Sequence, residues 1–305
     1  MRVFQFSHSA PGIPLESGAT SPPASAPAWR CRGAALVLLG LACAACVRQG
    51  TRLETNPLPP DTPEVSAILR DLASNDAAFQ NFRAAISLTL ESPKLTGIQQ
   101  FDGGYVAFRK PDCLFVQGTM KPLGTIAFQL TSAGREYLIE FPTKRDDERY
   151  YYQLEGEQFE NVPFNVYPSD IAREMFTPED WDSLSPRHAR IIAYDGAAQE
   201  ATLLIGPARR PERRIVVRGA PWVIVENERF SEDGTTLALS TFADYEVVNG
   251  VRFPSKIDVT FPTESTRMTF EMRNIRINTD QVNDSLFTIN WRPKNDHATH
   301  TTESR

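Results

Sequence analysis

The stretch Cys113–Leu130, CLFVQGTMKPLGTIAFQL, consists of two apolar runs around a reversal at Lys121-Pro122-Leu123-Gly124. Proline at the second turn position and glycine at the fourth suit a type I turn. The runs on either side are therefore expected to pair as antiparallel strands. In the second run Ile126, Phe128 and Leu130 oppose Thr125, Gln129 and Thr131, the period of a half-buried strand. This places Leu123 near the apex, where a side chain normally meets water. Two readings of Leu123 stand: it reaches outward to insert into an apolar partner, or it folds back onto Met120 and the sheet edge.

The same period governs most of the chain on either side. In FRAAISLTLES, Phe82, Ala84, Ile86, Leu88 and Leu90 share one face and Arg83, Ser87, Thr89 and Glu91 the other. GGYVAFRKP, EYLIEFPTK and RYYYQLE read as further strands, for five or six before the middle of the chain. VYPSDIAREMFTPEDWDSL then changes character. Ile171, Met175, Phe176 and Trp181, with Ser169 or Asp170 as caps, predict one or two short helices interrupted at Pro178. About seven strands follow from HARIIAYDG to STRMTFEMRNIRIN, with EDG and VNG as hairpin signals, and DSLFTI closes the domain. Ahead of the strands, Thr62 and Pro63 suit a helix start, with Val65, Ile68, Leu69 and Leu72 at helical spacing and an end before Asn75.

Successive strands joined by short turns imply an antiparallel meander, and a sheet this long must curl or close. One face then encloses something apolar. Its expected lining is Ile86, Leu88, Val106, Phe108, Leu114, Val116, Ile126, Phe128, Ile224, Met268 and Phe270, or the opposite set with a register one residue away. That lining either packs as a core under the helices or surrounds a ligand cavity.

The N-terminal segment has a different composition. Residues 1–28 are rich in Ser, Pro, Ala and Gly and have no hydrophobic period, as expected of a disordered leader. Arg30 and Arg32, the apolar run GAALVLLGLACAA and then Cys46 describe an export signal, too short to span a bilayer comfortably. The ending ACAAC resembles a lipobox, which implies cleavage before Cys46 and acylation of that cysteine; ordinary secretion with cleavage nearby is the alternative. Cleavage there removes three arginines and one glutamate, taking the net charge from −6 to −8. The mature chain keeps Cys46 and Cys113, and with Cys46 acylated no internal disulfide is possible. Cys113 reads as a small buried hydrophobe. The expected organisation is leader and signal over 1–45, a proline-rich tether over 46–61, a domain over 62–291 and a loose tail over 292–305.

The acidic balance, with a pI near 5.4, argues against a nucleic-acid partner. No GxSxG, HExxH or calcium-loop motif is present, so no catalytic residue, metal ligand or cofactor is assigned and the chain does not read as an enzyme. His188 precedes a strand with no ligand-spaced partner, and His297 and His300 fall in the tail. TKRDDERYYY reads as a solvated hairpin. The cluster Arg209, Arg210, Arg213, Arg214 and Arg218 reads as a soluble tip that protects an edge strand, or as a contact for anionic lipid.

Together these features resemble the LolA/LolB superfamily of bacterial lipoprotein carriers over roughly Pro63–Ile289. NFRAAISLTLESP, GGYVAFRKPDCLFVQG and DYEVVNGVRFPSKIDVTFP have the character of these domains. The most specific likeness is to LolB, which carries a proline-leucine-glycine turn between two early strands with its leucine protruding; here that turn is Pro122, Leu123 and Gly124. The resemblance implies a mainly β fold with some α: a long curled antiparallel sheet forming an open half-barrel, an N-terminal helix and a short helical insert as lid. It implies acyl chains of lipid or lipoprotein as cargo, a membrane-insertion loop at Leu123, a periplasmic carrier protein as a partner, and no enzymatic chemistry. Val47 after Cys46 is not the aspartate of inner-membrane retention, which implies anchoring in the outer membrane, facing the periplasm. A sixteen-carbon chain left in water costs about 12 kcal/mol at about 0.8 kcal/mol per methylene, so such cargo needs a shield. A LolA-like regulatory or envelope module with a protein partner is the alternative reading.

Overall fold

In chain order the elements are α1 (Val65–Ala78), β1 (Asn81–Glu91), β2 (Gln99–Arg109), β3 (Cys113–Met120), β4 (Thr125–Ala133), β5 (Glu136–Glu140) and β6 (Tyr150–Leu154). Then follow α2 (Pro168–Phe176), β7 (Ala189–Asp195), β8 (Glu200–Ile205), β9 (Arg213–Arg218), β10 (Val223–Phe230), β11 (Thr236–Val248), β12 (Val251–Phe261), β13 (Thr266–Ile277) and a 3-10 helix over Asp284–Phe287. The computed structural model describes residues 57–145, 149–154 (backbone alone at 153 and 154), 166–176, 181 and 188–291. The leader, Cys46, most of the tether, Pro178 and the tail from Arg292 lie outside the described residues.

All thirteen strands form one antiparallel sheet in the order β6-β5-β4-β3-β2-β1-β13-β12-β11-β10-β9-β8-β7. It is two meanders, six strands before α2 and seven after, joined where β1 pairs with β13 through Leu88↔Phe270 and Leu90↔Met268. The sheet does not close into a barrel: it is an open, curled half-barrel with β6 and β7 as free edges. That topology places the insert. The chain leaves one edge at β6 and re-enters at the opposite edge at β7, so the connection crosses the sheet. α2 lies in that connection and touches β3 and β4 on one side and β11 and β12 on the other.

Period-two burial holds along β1: Phe82, Ala84, Ile86, Leu88 and Leu90 are all buried. With residues from β2–β4, β12, β13 and α2 they form the main core under the insert. A second cluster lies under α1, where Ile68, Leu69 and Leu72 pack on Leu203, Ile215 and Val217 of β8 and β9. A third, small cluster lies away from the main core, where Phe287 and Val282 meet Ala107 and Phe115. Asn249 and Gly250 have φ of 50° and 80° and link Val248 directly to Val251, the two left-handed positions of a type I′ hairpin.

Several local expectations are corrected. Thr62 does not cap α1: its hydroxyl donates to the Pro59 carbonyl at 2.6 Å, and the helix begins three residues later. The helix runs past Asn75 to Ala78, because the Asn75 amide turns outward to bond the Arg252 backbone, donating at 3.0 Å and accepting at 2.8 Å. α2 begins at Pro168, ahead of both proposed caps. In the turn at 121–124 the Lys121–Pro122 bond is cis and Gly124 has φ of 64°. Ile126 does not share a face with Phe128. An extra residue in β4, between Thr119↔Ile126 and Gly118↔Phe128, forms a bulge that buries Ala127 and leaves Ile126 half-buried. Cys113 is also only half-buried, beside the Arg109 guanidinium at 3.8 Å.

Candidate functional site

The concave face and the helix across it form the first candidate. α2 is amphipathic: Ile171, Ala172 and Met175 point into the main core. Phe176 at its C-terminal end enters an aromatic nest, with ring centroids 4.1 Å from Phe108 and 5.2 Å from Phe82. Phe79, the C-cap of α1, and Phe253 complete the nest at 6.1 and 6.5 Å from Phe176.

On the same side of α2 sits Glu174, with no exposed surface. Its Oε1 accepts from Arg229 Nε at 2.6 Å and its Oε2 from Asn227 Nδ2 at 3.1 Å, both on β10; the Ser240 hydroxyl of β11 lies 3.5 Å away. Arg229 also donates to Asp170 at 3.1 Å, one turn earlier on α2. Asn227 Oδ1 is buried with no partner. The insert is therefore held by an apolar end and a polar middle. The polar part is the less favourable way to seat a helix, because a buried ion pair must offset a desolvation cost of several kcal/mol per ion.

Next to the nest, between α1, α2 and the edges of β10–β12, is a cavity of about 90 Å³. It is bordered by Phe79, Met175, Phe176, Trp181, Trp222, Ile224, Phe242 and Tyr245. The Tyr245 hydroxyl donates to the Ile224 carbonyl, and burial pushes its phenol well above the ordinary range. Of the expected lining residues, Ile224 alone borders this space. Ile86, Leu88, Val106, Phe108, Leu114, Val116, Phe128, Met268 and Phe270 are buried against one another and the insert, and Ile126 lies half-buried at its bulge. Glu174 lay within reach of sequence reasoning: it is three residues after Ile171, on the apolar stripe, where a carboxylate is out of place. Phe79 follows the end of α1 and Trp222 sits in the β9–β10 turn, and neither carries a period that would mark it.

The second candidate is one rim of the sheet. Leu123 is 82% exposed and does not fold back, whereas Met120 packs against the core. Gly124 has nothing within reach of an added Cβ, so its left-handed φ explains the glycine. The β1–β2 and β3–β4 connections emerge at the same end of the sheet, which brings Ile98, 65% exposed, to the same rim. Lys121 Nζ and Asp102 Oδ2, 3.3 Å apart, tie the β3–β4 turn to β2.

The arginine cluster is dispersed by the fold. β9 is an interior strand, so no edge is protected. Arg213 is buried, Arg214 pairs with Glu226 and Glu228, Arg218 with Glu200 and Arg210 with Glu232. In the 143–152 hairpin Arg149 binds Glu140 at 2.6 Å, while residues 146–148 lie outside the described residues. His188 is exposed ahead of β7, its carbonyl accepting from the Gly206 amide. Among the described residues no group of three His, Cys, Asp or Glu is placed to hold a metal ion.

The chain matches no family model. It also matches no curated protein. Solved structures of similar plan include a DUF1329 family protein from Desulfovibrio piger, 12% identical with a TM-score of 0.49, covering 74% of this chain and 98% of that one. A LolA superfamily protein from Nitrosomonas europaea is 14% identical with a TM-score of 0.47, covering 75% and 99%. An outer membrane lipoprotein-sorting domain from Vibrio parahaemolyticus, so named provisionally, is 10% identical with a TM-score of 0.45, covering 73% and 97%.

Proposed function

We propose that this protein is a lipid-anchored carrier of the bacterial envelope that shelters an acyl chain on the concave face of its sheet when α2 lifts. The observation that carries this reading is the seat of α2. α2 crosses an apolar concavity, held through Glu174 to Arg229 and Asn227, above a space already lined by aromatic rings. A seat of this kind favours opening, because water can satisfy the carboxylate and guanidinium once the helix leaves, whereas exposed aliphatic groups would gain nothing.

The cavity of about 90 Å³ is smaller than the ~300 Å³ at the low end of small-molecule pockets. It marks the mouth of the groove and α2 its cover. Binding of an alkyl chain needs shape and apolar surface, and no charged group at the chain itself. Acylated Cys46 and the tether hold the domain at the outer membrane, and the rim with Leu123 and Ile98 meets the bilayer or the incoming cargo.

The test is uptake of a fluorescent fatty acid by delipidated mature protein, with palmitate as competitor. Saturable uptake, reversed by palmitate, is expected. Lack of uptake of both the fatty acid and an acylated peptide would overturn the proposal.

A further inference from the structure

Two bulges flank β1 at the same level. On β13 an extra residue near Asn274, which has φ of 55°, separates Arg83↔Arg276 from Ala85↔Arg273. On β2 an extra residue at Gly103-Gly104 separates Ala85↔Tyr105 from Ser87↔Asp102. Residues three apart on a regular strand face opposite sides; the β13 bulge puts Arg273 and Arg276 on the same outer face, together with Arg83. Gly104 cannot be replaced there, since a Cβ would lie 1.9 Å from the Gln117 carbonyl oxygen.

The patch is cationic without compensation. Arg83 and Arg276 are direct cross-strand partners, a like-charge pairing that destabilises a sheet. Elsewhere in the sheet most strand arginines hold carboxylates, as Arg109, Arg214, Arg218, Arg229 and Arg267 do, whereas Arg190 and Arg252 stand singly without one among the described residues and face no second arginine across the ladder. Here Arg83 lies over the Tyr105 ring at 4.4 Å, Arg273 donates to the Ser87 hydroxyl at 2.9 Å, and Arg276 has no partner among the described residues. Tyr105 stacks on Phe115 with centroids 4.9 Å apart, so Arg83 rests on a fixed platform. Burial holds the Tyr105 phenol above its ordinary range against the pull of Arg83, which keeps its hydroxyl a donor. Arg83, Tyr105 and Arg276 border an open cavity of about 390 Å³, together with Asn274 and Gln281, while Arg273 stays outside that lining.

We propose that this outer-face cavity binds a phosphate-type oxyanion between the guanidinium groups of Arg83 and Arg276, with the Tyr105 hydroxyl as a further donor. Guanidinium forks match phosphate oxygens in pairs, and an anion carrying more than one charge relieves the facing arginines. The source is either free phosphate or the phosphodiester of a lipid headgroup. The site lies on the face opposite the acyl groove and does not depend on the carrier reading.

The test uses the mature chain at constant ionic strength, titrated by calorimetry with inorganic phosphate and with glycerophosphoglycerol, a headgroup without acyl chains. Saturable binding and a phosphate-dependent rise in Tm are expected. Arg83→Gln and Arg276→Gln should each weaken binding about tenfold. Both variants should keep or raise Tm in anion-free buffer, because the like-charge pair is gone. Tighter binding of glycerophosphoglycerol assigns the site to lipid headgroups; equal or weaker binding assigns it to free phosphate. No saturation of either ligand below about 10 mM, or saturation unchanged in both variants, overturns the proposal.

Discussion

Glu174 of α2 and Arg229 of β10 are joined by a hydrogen bond of 2.6 Å, and the glutamate is fully buried beneath its own helix. That contact fixes the insert over the concave face, and it is the point at which docking can be weakened without touching the apolar nest. Glu174→Gln should cost about 2 kcal/mol in urea unfolding, below the ~3–5 typical of a broken buried pair because Asp170 continues to hold Arg229. The same variant should take up fatty acid faster than the parent in stopped-flow fluorescence. Slower or equal uptake would show that the contact does not limit opening.

Phe128 is a core residue, packed edge-on to Phe101 with centroids 5.0 Å apart and opposite Gly118, whose added Cβ would lie 2.4 Å from the ring. Phe128→Ala should therefore lose about 3–5 kcal/mol of stability. The check is chemical denaturation beside a ligand titration. Loss of fatty-acid affinity with an unchanged denaturation midpoint would instead place Phe128 in a ligand-filled groove.

Leu123 and Ile98 project from neighbouring loops of one rim. Leu123→Glu and Ile98→Glu should each change stability by no more than about 0.5 kcal/mol, as exposed positions do. Both should reduce transfer of acyl cargo to vesicles while cargo binding persists, read by energy transfer from labelled lipid. Intact transfer in the double variant would remove the rim from the mechanism.

Cys46→Ala should leave the domain folded and release it from membranes in a fractionation at high salt. Retention in the membrane fraction would mean that something other than an acyl anchor on Cys46 holds it.

Much of this architecture is legible from local pattern. The alternation along Phe82–Leu90 sets the buried face of β1, and Asn249-Gly250 sets a two-residue hairpin, because each depends on residues that are neighbours in the chain. The pairing of β1 with β13 is not legible in this way. It joins positions 182 residues apart at Leu88 and Phe270, and alternation specifies a face but not a partner. The bulge that turns Ile126 from the core is likewise invisible, since one extra residue leaves composition unchanged. In the site, Leu123 stands out because a leucine beside proline and glycine in a turn is anomalous. Glu174 is the converse case, a charge inside an apolar stripe whose partners Asn227 and Arg229 look like ordinary outward-facing residues of β10.

The most direct test of the carrier account is hydrogen–deuterium exchange of α2, residues 168–176, in delipidated protein with and without saturating palmitate. The account predicts faster exchange of the α2 amides in the loaded protein, with the β1 and β13 amides unchanged, because the chain occupies the space that the helix vacates. Identical α2 exchange in the two samples would contradict it.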